Sequence, residues 1–241
     1  MFGKTTADGS ELIFNFHGLG APPPAVSDVE RPYWLAAESF DAILGLIRTH
    51  DKREEVRITF DDGNSSDLAT ALPILLSRNF RATFFITTDS IDKPDFISSA
   101  GIAELHQAGM GIGSHGLTHE NWTTHNERLA TDISHSLSIL SKIVREPVRE
   151  VAIPFGSYNL RVLRILRQVE VTRVYTSDNG FARAGDWLAA RNTIRTDTPL
   201  EKIVALMRDR SSPAQDFLAS ARRLTSRLSG LTSFMLQRTG S

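Results

Sequence analysis

Cysteine is absent from the 241-residue chain, which removes disulfide staples, thiolate metal ligands and cysteine nucleophiles together. No stretch reaches the roughly 20 consecutive apolar residues that a membrane span needs. The opening residues, Met1 to Ser10, lack a basic segment followed by an apolar one, so a cytoplasmic location is expected. Neither sign of charge is in excess: the formal net charge is -1, and nothing global points to nucleic acid as a partner. Internal repeats and low-complexity linkers are also missing. The length and the 41% hydrophobic content are enough for one large domain with a full core.

Short β-rich runs alternate with helix-length segments along this chain. Residues 12–16, 56–60, 82–86, 110–113, 151–153 and 172–176 read as buried strands, and residues 38–49, 65–79, 95–108, 126–145 and 158–169 as helices. Such alternation predicts an α/β fold with a parallel sheet and outer helices, and the length favours a closed or nearly closed barrel. His17, Asp61, Asp62, Ser114, His115 and Pro154 then all fall at the C-terminal tips of strands, the end where barrel enzymes build their sites.

Ile58-Thr59-Phe60-Asp61-Asp62-Gly63 puts adjacent carboxylates at the end of an apolar run. Neighbouring residues of a strand face opposite sides, so both can reach one site only if the chain turns at or just after them, which Gly63 permits. By itself the segment reads equally well as a helix-capping turn. Downstream, Gly111-Ile112-Gly113-Ser114-His115-Gly116-Leu117-Thr118-His119 offers imidazoles four residues apart, which a helical turn would bring to one face. One Asp with two neutral His is a common divalent-metal set that leaves positions open for water and substrate, and the other Asp is left over as a base. His50, His106, His125 and His135 sit in helical or polar contexts and read as surface residues.

Thr59-Phe60-Asp61-Asp62-Gly63 and Ser114-His115-Gly116-Leu117-Thr118-His119 resemble the first two motifs of the polysaccharide deacetylases, carbohydrate esterase family four or NodB-homology domain. Ala152-Ile153-Pro154-Phe155-Gly156-Ser157-Tyr158 is similar to the third. The resemblance implies a distorted (β/α)7 barrel over residues 10–210. It also implies a divalent metal, Zn2+ before Co2+, Ni2+ or Fe2+, on Asp62, His115 and His119, with Asp61 as catalytic base. Pro154, Phe155 and Gly156 would form a groove wall, the Phe155 backbone N–H facing the developing oxyanion. The implied activity is removal of N-acetyl groups from an amino-sugar glycan or oligosaccharide in bacterial exopolysaccharide or cell-wall metabolism. Another linear amide hydrolase, or a glycan-binding pseudoenzyme, is the alternative.

Two departures stand out. The third motif often carries an Arg that holds the catalytic Asp, and that position is Ala152 here. The usual C-terminal His is also missing, since no histidine follows His135. The branch acting on poly-N-acetylglucosamine exopolysaccharides takes its acid from an N-terminal strand instead, and Phe14-Asn15-Phe16-His17-Gly18 looks like that strand, which makes His17 the general acid.

Trp122 is a candidate for stacking on a sugar or for packing at the rim. Tyr175 to Gly180 stands where the fourth motif would be, without its Asp-Trp ending; the later Asp186-Trp187 is given no role. Phe217, Ala221, Leu224, Leu228, Leu231 and Met235 form the seam of a basic amphipathic helix in a tail over 211–241. That helix, over 213–238, packs on the barrel by default, with a peripheral membrane or homodimer contact as the sharper expectation.

Overall fold

The first three barrel strands are buried on both sides, and their alternate residues serve different layers. In β1 (Ser10–Phe16), Leu12, Phe14 and Phe16 join the large apolar core under the helices, while Ile13 belongs to a smaller cluster with Phe85, Ala152, Tyr175, Ala182 and Ala189. That smaller cluster is the interior of a barrel. The computed structural model describes residues 9–50, 55–124 and 128–208; the expected tail helix, the domain boundary at 211 and His125 lie outside them.

Strands β2 (Val56–Phe60), β3 (Thr83–Ile86), β4 (Gly111–Ser114), β5 (Glu150–Ala152) and β6 (Arg173–Thr176) follow β1 in parallel, neighbour by neighbour. Helices α1 (Ala37–Thr49), α2 (Leu72–Ser77), α3 (Ser99–Gln107), α4 (Leu129–Val144) and α5 (Leu160–Gln168) alternate with them. A π-helical turn, Asp67–Ala71, leads into α2, and Pro73 follows it. Helix α4 turns six residues, from Leu129 to Val144, inward and ends at Arg145 in the left-handed conformation, with φ 60.

Closure comes from short strands that the apolar pattern does not announce. β7 (Phe181–Arg183) runs antiparallel to the start of β1, and β8 (Leu188–Ala190) runs parallel to β6. After the single residue Arg191, β9 (Asn192–Thr193) pairs in parallel with the end of β1. One extended segment thus leaves β6 and arrives at β1, filling the seventh barrel position, and α6 (Leu200–Arg208) packs beside α1. The expected barrel is present, with its last position split between two partners and one antiparallel strand at its edge. No helix among the described residues is long and apolar enough to cross a membrane.

Candidate active site

The alternation that fills the barrel also aims its upper residues. In β2, Thr59 and then Asp61 point inward, and Asp61 is 3% exposed. Its partner is Arg191, fully buried, at the junction of β8 and β9: Nη1 donates to Oδ1 and Nη2 to Oδ2, each at 2.7 Å. Asn15 Nδ2 donates to Oδ2 at 2.9 Å, and Asn15 Oδ1 accepts from Arg191 Nη1 at 2.8 Å and from the Thr59 hydroxyl at 2.7 Å. Burial on its own would raise the Asp61 carboxyl, but the Arg191 charge and hydrogen bonds outweigh it and hold the group ionised, well below the usual carboxylate range. A bidentate guanidinium fixes the carboxylate plane as well as its charge. Arg191 therefore makes the contact to Asp61 that Ala152 has no side chain to make. The hint was there: Arg191 is the lone charge in Leu188-Ala189-Ala190-Arg191-Asn192-Thr193-Ile194, a run otherwise able to be buried.

Asp62 would face the helices if β2 simply continued. Instead its backbone takes φ 80, in the left-handed region, and Gly63 follows at φ 79, so the chain turns at Asp62 and brings the second carboxylate back over the barrel. Holding a non-glycine residue there costs on the order of 1–3 kcal/mol, a strain characteristic of functional sites. The Thr87 amide donates to the Asp62 carbonyl at 3.3 Å and anchors the turn to the next strand. Asp62 Oδ1 is buried without a hydrogen-bond partner among the described residues and lies 3.6 Å from His115 Nε2 and 3.5 Å from His119 Nε2. Burial pushes its carboxyl up to about 6, assisted by the Asp61 charge and opposed by His17.

His115 continues the inward series of β4 and is 2% exposed. Its Nδ1 lies 3.0 Å from the Ala152 carbonyl, which can only accept, so Nδ1 carries the proton and the Nε2 lone pair faces Asp62. Burial keeps the ring neutral, lowering it to about 3. The Ser114 hydroxyl lies 2.6 Å from the Ser136 hydroxyl of α4 and accepts from the Gly116 amide at 3.0 Å, while Ser136 donates to the Gly116 carbonyl at 3.1 Å. The histidines meet across this pinned loop, where Gly116 has φ 91, and not on a helical turn as their spacing suggests. Burial lowers His119 also. Its ring stands 5.1 Å from His115 and 4.4 Å from Phe155.

Asp62, His115 and His119 each present one ligand atom within 4.8 Å of the others, and this is the one such group among the described residues. The residues fit a divalent cation: two neutral imidazoles, one of them locked in tautomer, face a buried oxygen that nothing else satisfies.

At the third motif, Pro154–Gly156 forms a short turn with φ 56 at Phe155 and 58 at Gly156. The Phe155 ring thereby lies over His119 while remaining 60% exposed. His17 follows Phe16, whose carbonyl accepts the Asp61 amide at 3.0 Å, so it leaves β1 at the level where Asp61 leaves β2.

Trp122 is no sugar platform. It is 3% exposed and packs under Gly116, where an added Cβ would stand 3.3 Å from its ring. Trp187 donates to the Val171 carbonyl at 2.8 Å beneath the Arg167 guanidinium, and Asp178 accepts from the Tyr158 and Thr176 hydroxyls, so both serve packing. His50 caps α1, and His106 and His135 lie on α3 and α4, away from the triad.

Residues 48–174 match the family model of polysaccharide deacetylases. YxkH of Bacillus subtilis (strain 168), itself only provisionally assigned as a polysaccharide deacetylase, is 25% identical over 171 residues, covering 67% of this chain and 61% of that protein. The chain thus spans about three fifths of that curated relative. Among solved structures, the Streptococcus pyogenes deacetylase PplD in complex with acetate is 21% identical with a TM-score of 0.70, covering 82% of this chain and 98% of that one. IcaB from Ammonifex degensii is 20% identical with a TM-score of 0.69, covering 84% and 98%. These two likenesses carry the fold.

Proposed function

Because the chain belongs to the polysaccharide deacetylase family, we propose that it is a metal-dependent N-deacetylase acting on an acetylated amino-sugar glycan or oligosaccharide of exopolysaccharide or cell-wall metabolism. The observation that carries this reading is the pairing of an unsatisfied Asp-His-His set with a separate carboxylate held ionised beside it. Asp62, His115 and His119 would hold the divalent cation, Zn2+ before Co2+, Ni2+ or Fe2+. When bound, such a cation polarises the acetyl carbonyl and lowers the pKa of water toward about 7.

The chain's own residues supply the rest. Asp61, ionised by Arg191, takes the proton of the attacking water as its oxygen bonds to the acetyl carbon. The Phe155 backbone N–H supports the oxyanion, a contribution of a few kcal/mol for a preorganised donor. His17 in its protonated form gives its proton to the amide nitrogen as the C–N bond breaks, leaving acetate and a free amine. The pseudoenzyme reading drew on the Ala152 departure, and Arg191 on Asp61 weighs against it.

Acetate release across chitooligosaccharides, a β-1,6-linked glucosamine polymer and peptidoglycan fragments, with and without chelator, tests the proposal. Chelator-sensitive acetate release from at least one N-acetylated substrate is expected. Release that ignores chelation, or its absence with every metal offered, would overturn it.

A further inference from the structure

Two histidines at this barrel end, His115 fully buried and His17 half-buried, are oriented by different means. His115 has its Nδ1 fixed on a carbonyl, whereas the buried Nδ1 of His17 has no hydrogen-bond partner among the described residues. A general acid must keep its other nitrogen aimed at the leaving group, and a misplacement of about 1 Å can cost on the order of 10²-fold in rate. What lies against the His17 ring is Tyr33, at a centroid distance of 4.8 Å and an interplanar angle of 55°.

Tyr33 arrives on a strap that is fastened on both sides of His17. At its neck, Gly20 donates to the Leu35 carbonyl at 2.7 Å and Leu35 to the Gly18 carbonyl at 3.0 Å. Trp34 lies so close on Gly18 that an added Cβ would stand 2.2 Å from its ring, so the strap is seated directly beside His17. Across the site, the Thr196 amide donates to the Pro32 carbonyl at 2.8 Å. The Arg195 guanidinium stands over Tyr33 at 5.1 Å and is itself held by Asp197 at 3.1 Å.

We propose that Tyr33, clamped by Arg195, is a positioning residue for His17, its ring doing for this imidazole what the Ala152 carbonyl does for His115. The inference rests on the reading of His17 as the general acid. Its chemical signature is selective. An amine leaves an amide only when protonated, whereas a nitrophenolate leaves an aryl acetate without a proton. Loss of the acid, or of its aim, therefore spares the ester.

The test uses the full chain loaded with Zn2+, its metal content measured, and compares N-acetylated chitooligosaccharide with 4-nitrophenyl acetate. His17→Ala should lower kcat on the amide by about 10² to 10⁴ and leave the ester within a few-fold. Tyr33→Leu should lower amide kcat about tenfold with KM unchanged and the ester spared, and Tyr33→Phe should restore the native value within about twofold. Equal losses on ester and amide for Tyr33→Leu, or no loss at all, would overturn the proposal. If His17→Ala itself hits both substrates equally, the acid reading falls first. Should Tyr33→Leu fail to fold, Arg195→Met decides: an amide-selective loss of about threefold supports the clamp, and an unselective one removes it.

Discussion

The two ends of this barrel are built on opposite rules. At the N-terminal end, Glu11 is 4% exposed and gives both carboxylate oxygens to partners, Arg57 from β2 and Arg173 from β6, while Glu150 accepts the Tyr175 hydroxyl at 3.0 Å. At the C-terminal end, Asp62 Oδ1, His17 Nδ1, Thr87 Oγ1 and both Asp67 oxygens are buried without partners among the described residues. Arg173 Nε is the exception at the lower end. Buried polar atoms in native proteins are nearly always satisfied, so a cluster of unsatisfied ones at one end marks where something else binds. The upper end does contain one fully satisfied charge, Asp61 on Arg191, and its pairing is what separates the proposed base from the proposed ligands.

The contrast breaks most sharply at the triad. His115→Ala or Asp62→Ala should abolish cation retention and turnover together, well beyond the 10- to 100-fold that an outer-shell change costs. Metal analysis and acetate release on the same sample check this; a variant that loses turnover but keeps its cation would remove that residue from the ligand set.

Next comes a matched pair of charge deletions. Arg191→Met leaves Asp61 buried and unpaired and should cost about 3–5 kcal/mol in unfolding, with kcat falling about 10²-fold. Glu11→Gln should cost a comparable part of that stability with kcat unchanged, measured by urea unfolding alongside the assay. Equal activity in both variants would dissolve the difference between the ends. The pH sign follows from Asp61: its folded value is depressed, so its stabilisation is complete above the ordinary carboxylate range and is lost as pH falls through and below it. Arg191→Met should flatten that acid limb.

Asp62, the proposed ligand, behaves in the opposite sense. With its carboxyl pushed up to about 6, protons compete with the cation below that value. Cation affinity should therefore decline below about pH 6 by up to tenfold per pH unit, as followed by chelator competition. A flat affinity between pH 5 and 7 would contradict the raised carboxyl of Asp62.

The smallest effect is expected at Ser136, which holds the His115 loop from α4. Ser136→Ala should cost about 1 kcal/mol of stability and up to about tenfold in cation affinity, read by calorimetry.

Much of this architecture was legible because its periodicities are local. The expected strands at 12–16, 56–60, 82–86, 110–113, 151–153 and 172–176 all lie on observed strands, and the five expected helices overlap α1 to α5. The closing strands β7 to β9 escaped notice because they are two or three residues long and interrupted by polar residues. The His115–His119 spacing suggested a helical face, but Gly116 at φ 91 makes a bend, and the rings meet by loop closure. Trp122 read as a rim aromatic because nothing in a sequence reveals that Gly116 leaves room for it beneath the loop.

By itself the sequence determined the alternation of strand and helix, the exclusion of thiol chemistry, and the residue types at the strand tips, since each depends on neighbours along the chain. Tertiary structure alone decided that Asp61 is held by a residue 130 positions away, that Asp62 turns back over the barrel, and that Tyr33 reaches His17. The Arg191 and Tyr33 contacts arise from barrel closure, which brings β9 beside β1 and the strap across both. A pairing set by closure leaves no period in the sequence from which it could be read.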